Sequence, residues 1–174
     1  RAHTGLTRRD LAGELTRARE ALQAAHVLTD RELLASLQEC RNAFRLAGRS
    51  NPAYRGKILP RARAIALIAL AAERYLHLSP YDCQLLAALA MHEDMLAQVV
   101  AGEGKTLAVA ITAVLHAWRG HPCHVITAND YLAQRDALTM RPLYIACGLE
   151  AAAVVPNLPP EQARLRYRAA VVYA

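Results

Sequence analysis

A short glycine-rich turn carries the residues with the clearest chemical capability. Residues 101–106 read Ala-Gly-Glu-Gly-Lys-Thr, and they lie between two largely apolar stretches, residues 95–100 and 107–111. A strand, a glycine turn, Lys-Thr and a helix follow one another in this order in phosphate-binding loops. Gly102 and Gly104 let the backbone turn tightly, so that main-chain N–H groups can converge on anionic oxygens. The sequence therefore predicts a loop that binds a phosphate group.

Two side chains at the end of this turn extend the prediction to a nucleotide and a metal ion. We expect Lys105 to reach the outer phosphates as a point charge, and Thr106 to offer its hydroxyl to Mg²⁺. Lysine is rare in this arginine-rich chain, since Lys57 is the only other one. The longer form of the pattern would place glycine at Val99, so the loop is the shorter Gly-x-Gly-Lys-Thr form. A glycine turn that merely caps a helix is the alternative.

The composition indicates a packed globular protein. The chain has 174 residues, of which 54% are hydrophobic and 21% charged. No apolar run approaches the ~20 residues that a membrane-spanning helix needs. The four cysteines are scattered without a Cys-x-x-Cys pair, which favours neither a zinc site nor a disulfide framework. The net charge of +6 is uneven, since residues 1–75 carry 14 Lys+Arg against 7 Asp+Glu and residues 76–174 carry 7 against 8. The basic half could contact anionic lipid or nucleic acid or simply form a solvated helical surface.

Capping signals divide the first half of the chain into helices. Thr7 with Asp10 and Thr29 with Glu32 have the spacing of capping boxes. Ser79 followed by proline is a further helix start. The predicted helices cover residues 8–23, 30–46, 60–77 and 79–91, with a loop over residues 48–56. We therefore expect residues 1–78 to form a helical N-terminal segment.

Strands and helices alternate in the second half. The predicted strands are residues 95–100, 123–127, 150–155 and 169–173, and helices over residues 105–119, 130–147 and 160–168 separate them. Strands separated by helices imply a parallel sheet with right-handed crossovers. The fold class predicted for the chain is therefore α/β, with residues 79–174 forming a partial nucleotide-binding domain.

Three segments in this half, taken in their order and spacing, resemble one family. They are Tyr-Asp-x-Gln at residues 81–84, the loop at residues 101–106, and Asn-Asp-Tyr-Leu-Ala-Gln-Arg-Asp at residues 129–136. The set resembles SecA, the motor ATPase of bacterial preprotein translocation. The resemblance extends over residues 8–174 and is strongest from 79 to 155. It implies the first part of a RecA-like P-loop domain, truncated before the family's acidic metal-binding motif.

The resemblance also implies roles for individual residues, with ATP or ADP and Mg²⁺ as cofactors. Gln84 would read the adenine ring, although a polar residue of a helix could have the same spacing. Tyr81 could pack on the base or be a plain aromatic at a helix start. Asp130 and Arg135 would couple the nucleotide site to the substrate, or could equally be a helix cap and a salt bridge. The cofactor-binding set is Tyr81, Gln84, Gly102, Glu103, Gly104, Lys105 and Thr106, of which Lys105 and Thr106 would be catalytic.

A motor of this family would couple ATP hydrolysis to protein translocation across the bacterial inner membrane. The implied partners are a membrane translocon channel, unfolded preprotein and anionic lipid, with no nucleic acid, and the implied location is the cytoplasm, peripheral at the inner membrane. The acidic motif and the second motor domain would lie beyond residue 174. Because phosphoryl transfer needs the groups that they supply, we expect this piece alone to hydrolyse ATP poorly.

Three other interpretations compete with this one. A nucleic-acid-dependent, helicase-like ATPase would share the loop, and a non-enzymatic binding module could retain it as structure. A metal site around Cys123 and His124 is disfavoured, because consecutive side chains of a strand point to opposite faces.

Overall fold

The structure is a computed structural model that describes residues 8–48, 61–156 and 158–174. The predicted capping box at Thr7 and most of the predicted loop after Gly48 lie outside the described residues. In chain order, the helices and strands are α1 (Arg8–Ala25), α2 (Asp30–Gly48), α3 (Arg61–Leu76), α4 (Asp82–His92), α5 (Lys105–Trp118), β1 (Cys123–Val125), α6 (Asp130–Ala146), β2 (Ala151–Ala153), α7 (Pro160–Arg166) and β3 (Val171–Tyr173).

Helix α3 lies at the centre of the helical part. Residues 64–72 are all buried, because Ala, Ile and Leu occupy every side of the helix there. It packs against α1 and α2 and also against α6. At the start of α2, the Glu32 carboxylate accepts hydrogen bonds from the Thr29 N–H (2.8 Å) and the Thr29 hydroxyl (2.7 Å). The predicted α/β fold is confirmed, and the capping pair at Thr29 is present.

The strands form a small parallel sheet in the order β1-β3-β2. Val171 of β3 lies between Cys123 of β1 and Ala151 of β2, which sets the register. Tyr173 of β3 is buried against α6, where its hydroxyl lies 2.6 Å from that of Tyr144. Helices α5 and α6 thus pack against the sheet.

Helix α5 connects the glycine loop to this sheet. Its buried face includes Ile111, Leu115 and Trp118, and it packs against α4 and β1. The Trp118 indole donates a hydrogen bond from Nε1 to the Cys147 carbonyl at 2.9 Å. The helix that begins at the loop is therefore anchored at its far end by a buried aromatic side chain.

The predicted strand before the loop is wrong. Residues 95–100 form no strand, and in the described parts of the chain no strand pairs with them. Their side chains still alternate between half-buried and exposed, and Leu96 is 99% exposed. A strand forms only when a neighbouring strand takes up its N–H and C=O groups, and β1 pairs with β3 alone. The apolar pattern indicated a strand, but tertiary pairing decides whether one exists.

Candidate nucleotide-binding site

The glycine loop turns sharply into the first turn of α5. Gly104 is the residue that precedes the helix, and its φ of 69° lies in the left-handed region; Gly102 has a φ of 89°. A Cβ added to Gly104 would overlap the amide nitrogen of Gln84, whereas one added to Gly102 would meet nothing within 4 Å. Position 104 therefore requires glycine both for its backbone conformation and for the space it leaves.

The loop presents main-chain donors that the fold does not use. Within the described residues, the N–H groups of Gly104, Lys105 and Thr106 donate no hydrogen bond. The first turn of α5 contains no carboxylate, and no side chain caps it. Unbonded N–H groups at a helix N-terminus, where the dipole is positive, favour an anion. The residues present therefore fit the phosphates of a nucleotide.

Lys105 lies beside this turn with its ammonium group exposed. Its Nζ donates a hydrogen bond to the Val100 carbonyl at 3.0 Å, and the side chain lines a cavity of about 360 Å³ together with Leu96 and Ala108. That cavity is not the one that Gln84 and Thr106 line. The ammonium group has three donors on a flexible stem, so its single bond to a carbonyl leaves it able to turn towards an anion.

Gln84 joins α4 to the loop. The side chain is only 5% exposed, and its Nε2 donates to the carbonyls of Glu103 (2.8 Å) and Gly104 (3.3 Å). Its Oε1 accepts a hydrogen bond from the Tyr81 N–H at 3.0 Å. Tyr81, not Ser79 as predicted, is therefore the residue that precedes α4, because the Gln84 amide takes up the orphan N–H there. The oxygen and the nitrogen of the Gln84 amide, which we expected to recognise adenine, therefore both have hydrogen-bond partners within the protein.

A cavity of about 450 Å³ lies over the loop. Its walls bring together six of the predicted residues, Tyr81, Gln84, Gly102, Glu103, Gly104 and Thr106. Tyr81 is 69% exposed at the rim, where its ring is free to contact a ligand. Pockets for small ligands span a few hundred to ~1,000 Å³, so the volume suits a mononucleotide.

Asp136 is a residue of this site that the sequence reasoning missed. Its Oδ2 accepts a long hydrogen bond from the Thr106 hydroxyl (3.4 Å), and its Oδ1 accepts two from Arg135, at 2.8 Å from Nε and 2.6 Å from Nη2. In the sequence, Asp136 is the last residue of the run at residues 129–136, and that run suggested no separate role for it. Nothing in its spacing indicated a contact with a residue thirty positions earlier.

The structure does not bring Asp130 and Arg135 together. Asp130 begins α6 exposed, and the cap is Asn129, whose Oδ1 accepts a hydrogen bond from the Leu132 N–H at 2.9 Å. Arg135 pairs with Asp136, and its guanidinium lies 6.0 Å from the centre of the Tyr131 ring. Of the two alternatives for Arg135, the salt bridge is therefore present, while Asp130 is not the capping residue.

The described residues contain neither a metal-binding cluster nor a helix that could span a membrane. In the described ranges, no group of three or more His, Cys, Asp or Glu side chains could hold a metal ion. No helix in the same ranges combines the length and hydropathy that crossing a membrane requires.

Comparison with known proteins covers nearly the whole chain. The SecA DEAD-like domain matches residues 5–174. The chain is 51% identical over 109 residues to protein translocase subunit SecA 2 of Magnetococcus marinus, which is 63% of this chain and 17% of that protein. It is 42% identical to SecA 2 of Chlorobium chlorochromatii, over 88% of this chain and 22% of the other. It is 35% identical to SecA of Stutzerimonas stutzeri, over 92% of this chain and 18% of the other.

The family match over residues 5–174 includes the helical first half as well as the loop. The chain spans about a fifth of the length of the curated relatives that it matches. The match over residues 5–174, together with the glycine loop and the neighbouring cavity, identifies this chain as a member of the SecA DEAD-like domain family.

Proposed function

We propose that this chain binds ATP or ADP at residues 102–106, with the Thr106 hydroxyl as a ligand of the nucleotide's Mg²⁺. The observation that carries the proposal is the set of unbonded N–H groups at residues 104–106, which open onto a cavity of about 450 Å³. Together with the positive end of α5, they form a cup for a polyanion. Gly102 and Glu103 complete the loop.

Lys105 is the positively charged side chain of the site, and its flexible stem lets it change hydrogen-bond partner. In the ligand-free arrangement its ammonium holds the Val100 carbonyl, a neutral acceptor. A phosphate oxygen is a stronger acceptor for this ammonium group, because its negative charge adds a Coulomb attraction that a neutral carbonyl lacks. Nucleotide binding would therefore exchange the Val100 carbonyl for phosphate oxygens and turn Lys105 towards the cavity.

Gln84 and Tyr81 would hold the base. For its amide to meet adenine, Gln84 must release either the Tyr81 N–H or the loop carbonyls. An amide can give and take a hydrogen bond at one edge of a purine, so the exchange conserves the number of bonds. Asp130 and Arg135 remain our proposed coupling residues, and Arg135 would act through its ion pair with Asp136.

For the parent protein, we propose a SecA-type motor that couples ATP hydrolysis to protein translocation. The relatives carry the name protein translocase subunit, and this supports the proposal. The proposed partners are a membrane translocon channel, unfolded preprotein and anionic lipid, with the protein in the cytoplasm and peripheral at the inner membrane. Residues 1–78 would be its helical segment and residues 79–174 part of its nucleotide-binding domain.

We propose further that the 174-residue chain hydrolyses ATP slowly by itself. Asp136 is the carboxylate bonded to Thr106, and both hydrogen bonds to its Oδ1 come from Arg135. A carboxylate whose oxygens already accept these three hydrogen bonds is held by the protein and is not free to orient a water molecule. Phosphoryl transfer needs an acidic metal ligand and a cation on the γ-phosphate together.

Calorimetric titration of the chain with ADP and Mg²⁺ tests the binding proposal. Lys105→Ala should weaken binding about tenfold or more, since a charge-assisted bond contributes roughly 1.5–3 kcal/mol. Arg141→Ala is the matched control, because Arg141 is exposed on α6 and has no partner among the described residues. Absence of binding by the unaltered chain would refute the proposal, and tight, steeply salt-dependent RNA binding would favour the helicase-like alternative.

A further inference from the structure

We propose that the chain contains a second anion-binding site, a basic cleft at the opposite end of α5 that takes a phosphate-bearing ligand. The basic cleft is a cavity of about 430 Å³, into which four basic side chains from three separate parts of the chain converge. These side chains are Arg41, Arg45, His121 and Arg168, and they are joined in the lining by Trp118 and Tyr167.

The arginines of the basic cleft lack counter-charges. Within residues 8–48, 61–156 and 158–174, the side chains of Arg41, Arg45 and Arg168 make neither an ion pair nor a hydrogen bond. The remaining stretches, residues 1–7, 49–60 and 157, contain no Asp or Glu at all, so they can supply no carboxylate. Elsewhere in the described chain, Arg17, Arg19, Arg61, Arg63, Arg74 and Arg135 each pair with a carboxylate.

The cleft is built on rigid elements. Arg45 lies one turn after Arg41 on α2, so both side chains project from the same face of that helix. Arg41 is half-buried and packs over Gly148, where a Cβ would lie 2.6 Å from its Nη1. Trp118 is buried and hydrogen-bonded to the Cys147 carbonyl. Arg41 and Trp118 are thus held in place, which lowers the cost of ordering this part of the cleft around a ligand.

Tyr167 forms one wall of the cleft. Its ring centre lies 5.8 Å from that of His124, and 48% of the residue is exposed. Arg168 follows it directly, is exposed and lines the same cavity, so the cleft contains both an aromatic ring and a guanidinium. This arrangement suits a ligand with a phosphate group and a small organic part, because arginine forks match pairs of phosphate oxygens.

The helix ends near the cleft do not account for the cluster. The C-terminus of α5 lies at Trp118 and that of α6 just before Gly148, and the negative ends of their dipoles favour cations. Such an effect is worth ~0.3–1 kcal/mol at an exposed site, and in the described residues no guanidinium of the cleft bonds to a helix-end carbonyl. An anion would satisfy donors that the dipoles leave free.

The basic cleft is separate from the nucleotide loop. Helix α5 begins at Lys105 and ends at Trp118, and 14 residues of helix span roughly 20 Å. The two sites therefore lie at opposite ends of one helix and share no lining residue. The proposal does not depend on the nucleotide-binding proposal.

Amide-resolved NMR titration of the chain tests the basic cleft. The probes are inorganic phosphate and glycerol 3-phosphate, with sodium chloride at equal ionic strength as the reference. We expect saturable shifts at Gly120, His121 and Ala170 and at the Trp118 indole N–H, separately from any change at Gly104. Shifts that chloride reproduces would overturn the proposal.

Variants make the test specific. Arg45→Gln and Arg168→Gln are exposed changes that leave the packing intact, and together they should weaken phosphate binding about tenfold or more. Arg141→Gln, the control on α6, should leave the affinity within about twofold. Unchanged affinity in the double variant would refute the site, whether or not Arg41→Gln can fold.

Vesicles identify the source of the phosphate. Sedimentation with phosphatidylglycerol vesicles but not phosphatidylcholine vesicles, lost in the double variant, would assign the cleft to a phospholipid head group. Saturable binding of glycerol 3-phosphate without vesicle sedimentation would assign it to a soluble phosphomonoester. Failure of all the phosphate probes would overturn the proposal.

Discussion

The Thr106 hydroxyl donates a hydrogen bond to Asp136 Oδ2 across 3.4 Å, while Arg135 occupies the other oxygen of that carboxylate. This relationship ties the first turn of α5 to the middle of α6. The Asp136 side chain is 14% exposed, so water competes little for it. The hydroxyl that we propose as a Mg²⁺ ligand is therefore oriented by a carboxylate that the glycine-loop motif does not include.

Asp136→Ala should weaken ATP binding about threefold to tenfold in the presence of Mg²⁺, because it frees the Thr106 hydroxyl to rotate. Binding of ADP without Mg²⁺ should be unchanged, since the main-chain donors are not affected. Calorimetric titration with and without the metal measures both. Glu161→Ala, an exposed change on α7, is the control. An equal loss with and without Mg²⁺ would show that Asp136 supports the loop as a whole.

Gly104→Ala should destabilise the fold and abolish nucleotide binding, whereas Gly102→Ala should do less. Both positions have positive φ, which costs a non-glycine residue roughly 1–2 kcal/mol, but only at position 104 would the new methyl group also overlap Gln84. Urea unfolding of the two variants measures the difference. Gln84→Ala should cost less stability in the Gly104→Ala background than in the unaltered chain, because there it also removes the overlap; equal costs in the two backgrounds would contradict the steric argument.

His92 should make the fold less stable in acid. It is 2% exposed, and Arg119 Nη2 lies 2.9 Å from its Nε2. A guanidinium can only donate, so the ring is neutral with its proton on Nδ1. Burial, which is the larger cause, and the nearby positive charge of Arg119 lower the pKa of His92 to about 3.

The lowered pKa of His92 makes the free energy of unfolding decrease as the pH falls. Below pH ~6.5, His92 binds a proton in the unfolded chain but remains neutral in the folded chain. The free energy of unfolding should therefore fall by about 1.4 kcal/mol per pH unit down to pH ~3. His92→Gln should reduce this slope, while His121→Gln, at an exposed position, should not. Urea unfolding between pH 4 and 7.5 gives the slopes, and identical slopes in all three proteins would contradict the assignment.

Tyr144 and Tyr173 should make the fold unstable in strong alkali. Burial raises the pKa of Tyr173 to about 12 and raises the pKa of Tyr144 further. Above pH ~10 the unfolded chain ionises these hydroxyls and the folded chain does not, so stability is lost as the pH rises. Tyr144→Phe should lower the slope of stability against pH by about 1.4 kcal/mol per unit. Unfolding at pH 9–11.5 measures it, and an unchanged slope would be inconsistent with a buried pair.

Local signals predicted the parts of the fold that depend on local physics. The capping pair at Thr29 and the helix that follows the glycine loop depend on neighbours within a few residues. The three strands after the loop also needed partners distant in sequence, and they pair with one another. The strand expected at residues 95–100 depended on a partner far away in sequence, and the apolar pattern could not supply one. Leu96 is accordingly exposed in the apolar run that was expected to form this strand.

The same distinction applies to the candidate sites. The loop and Gln84 belong to short motifs, so their spacing was sufficient to select them. Asp136 and the basic cleft arise when elements distant in sequence pack together, as when α2 brings Arg41 and Arg45 near Arg168. The spacing of residues within one segment does not indicate which other segments will pack against it.

The most direct test of the central claim is to follow the main-chain amides of residues 102–106 by NMR while ADP and Mg²⁺ are added. We expect saturable shifts at Gly104, Lys105 and Thr106, lost in Lys105→Ala, with little change at Gly13 of α1, which lines neither the nucleotide cavity nor the basic cleft. Amides at residues 104–106 that stay unmoved at saturating ADP, or that shift no more than the amide of Gly13, would contradict the proposed nucleotide site.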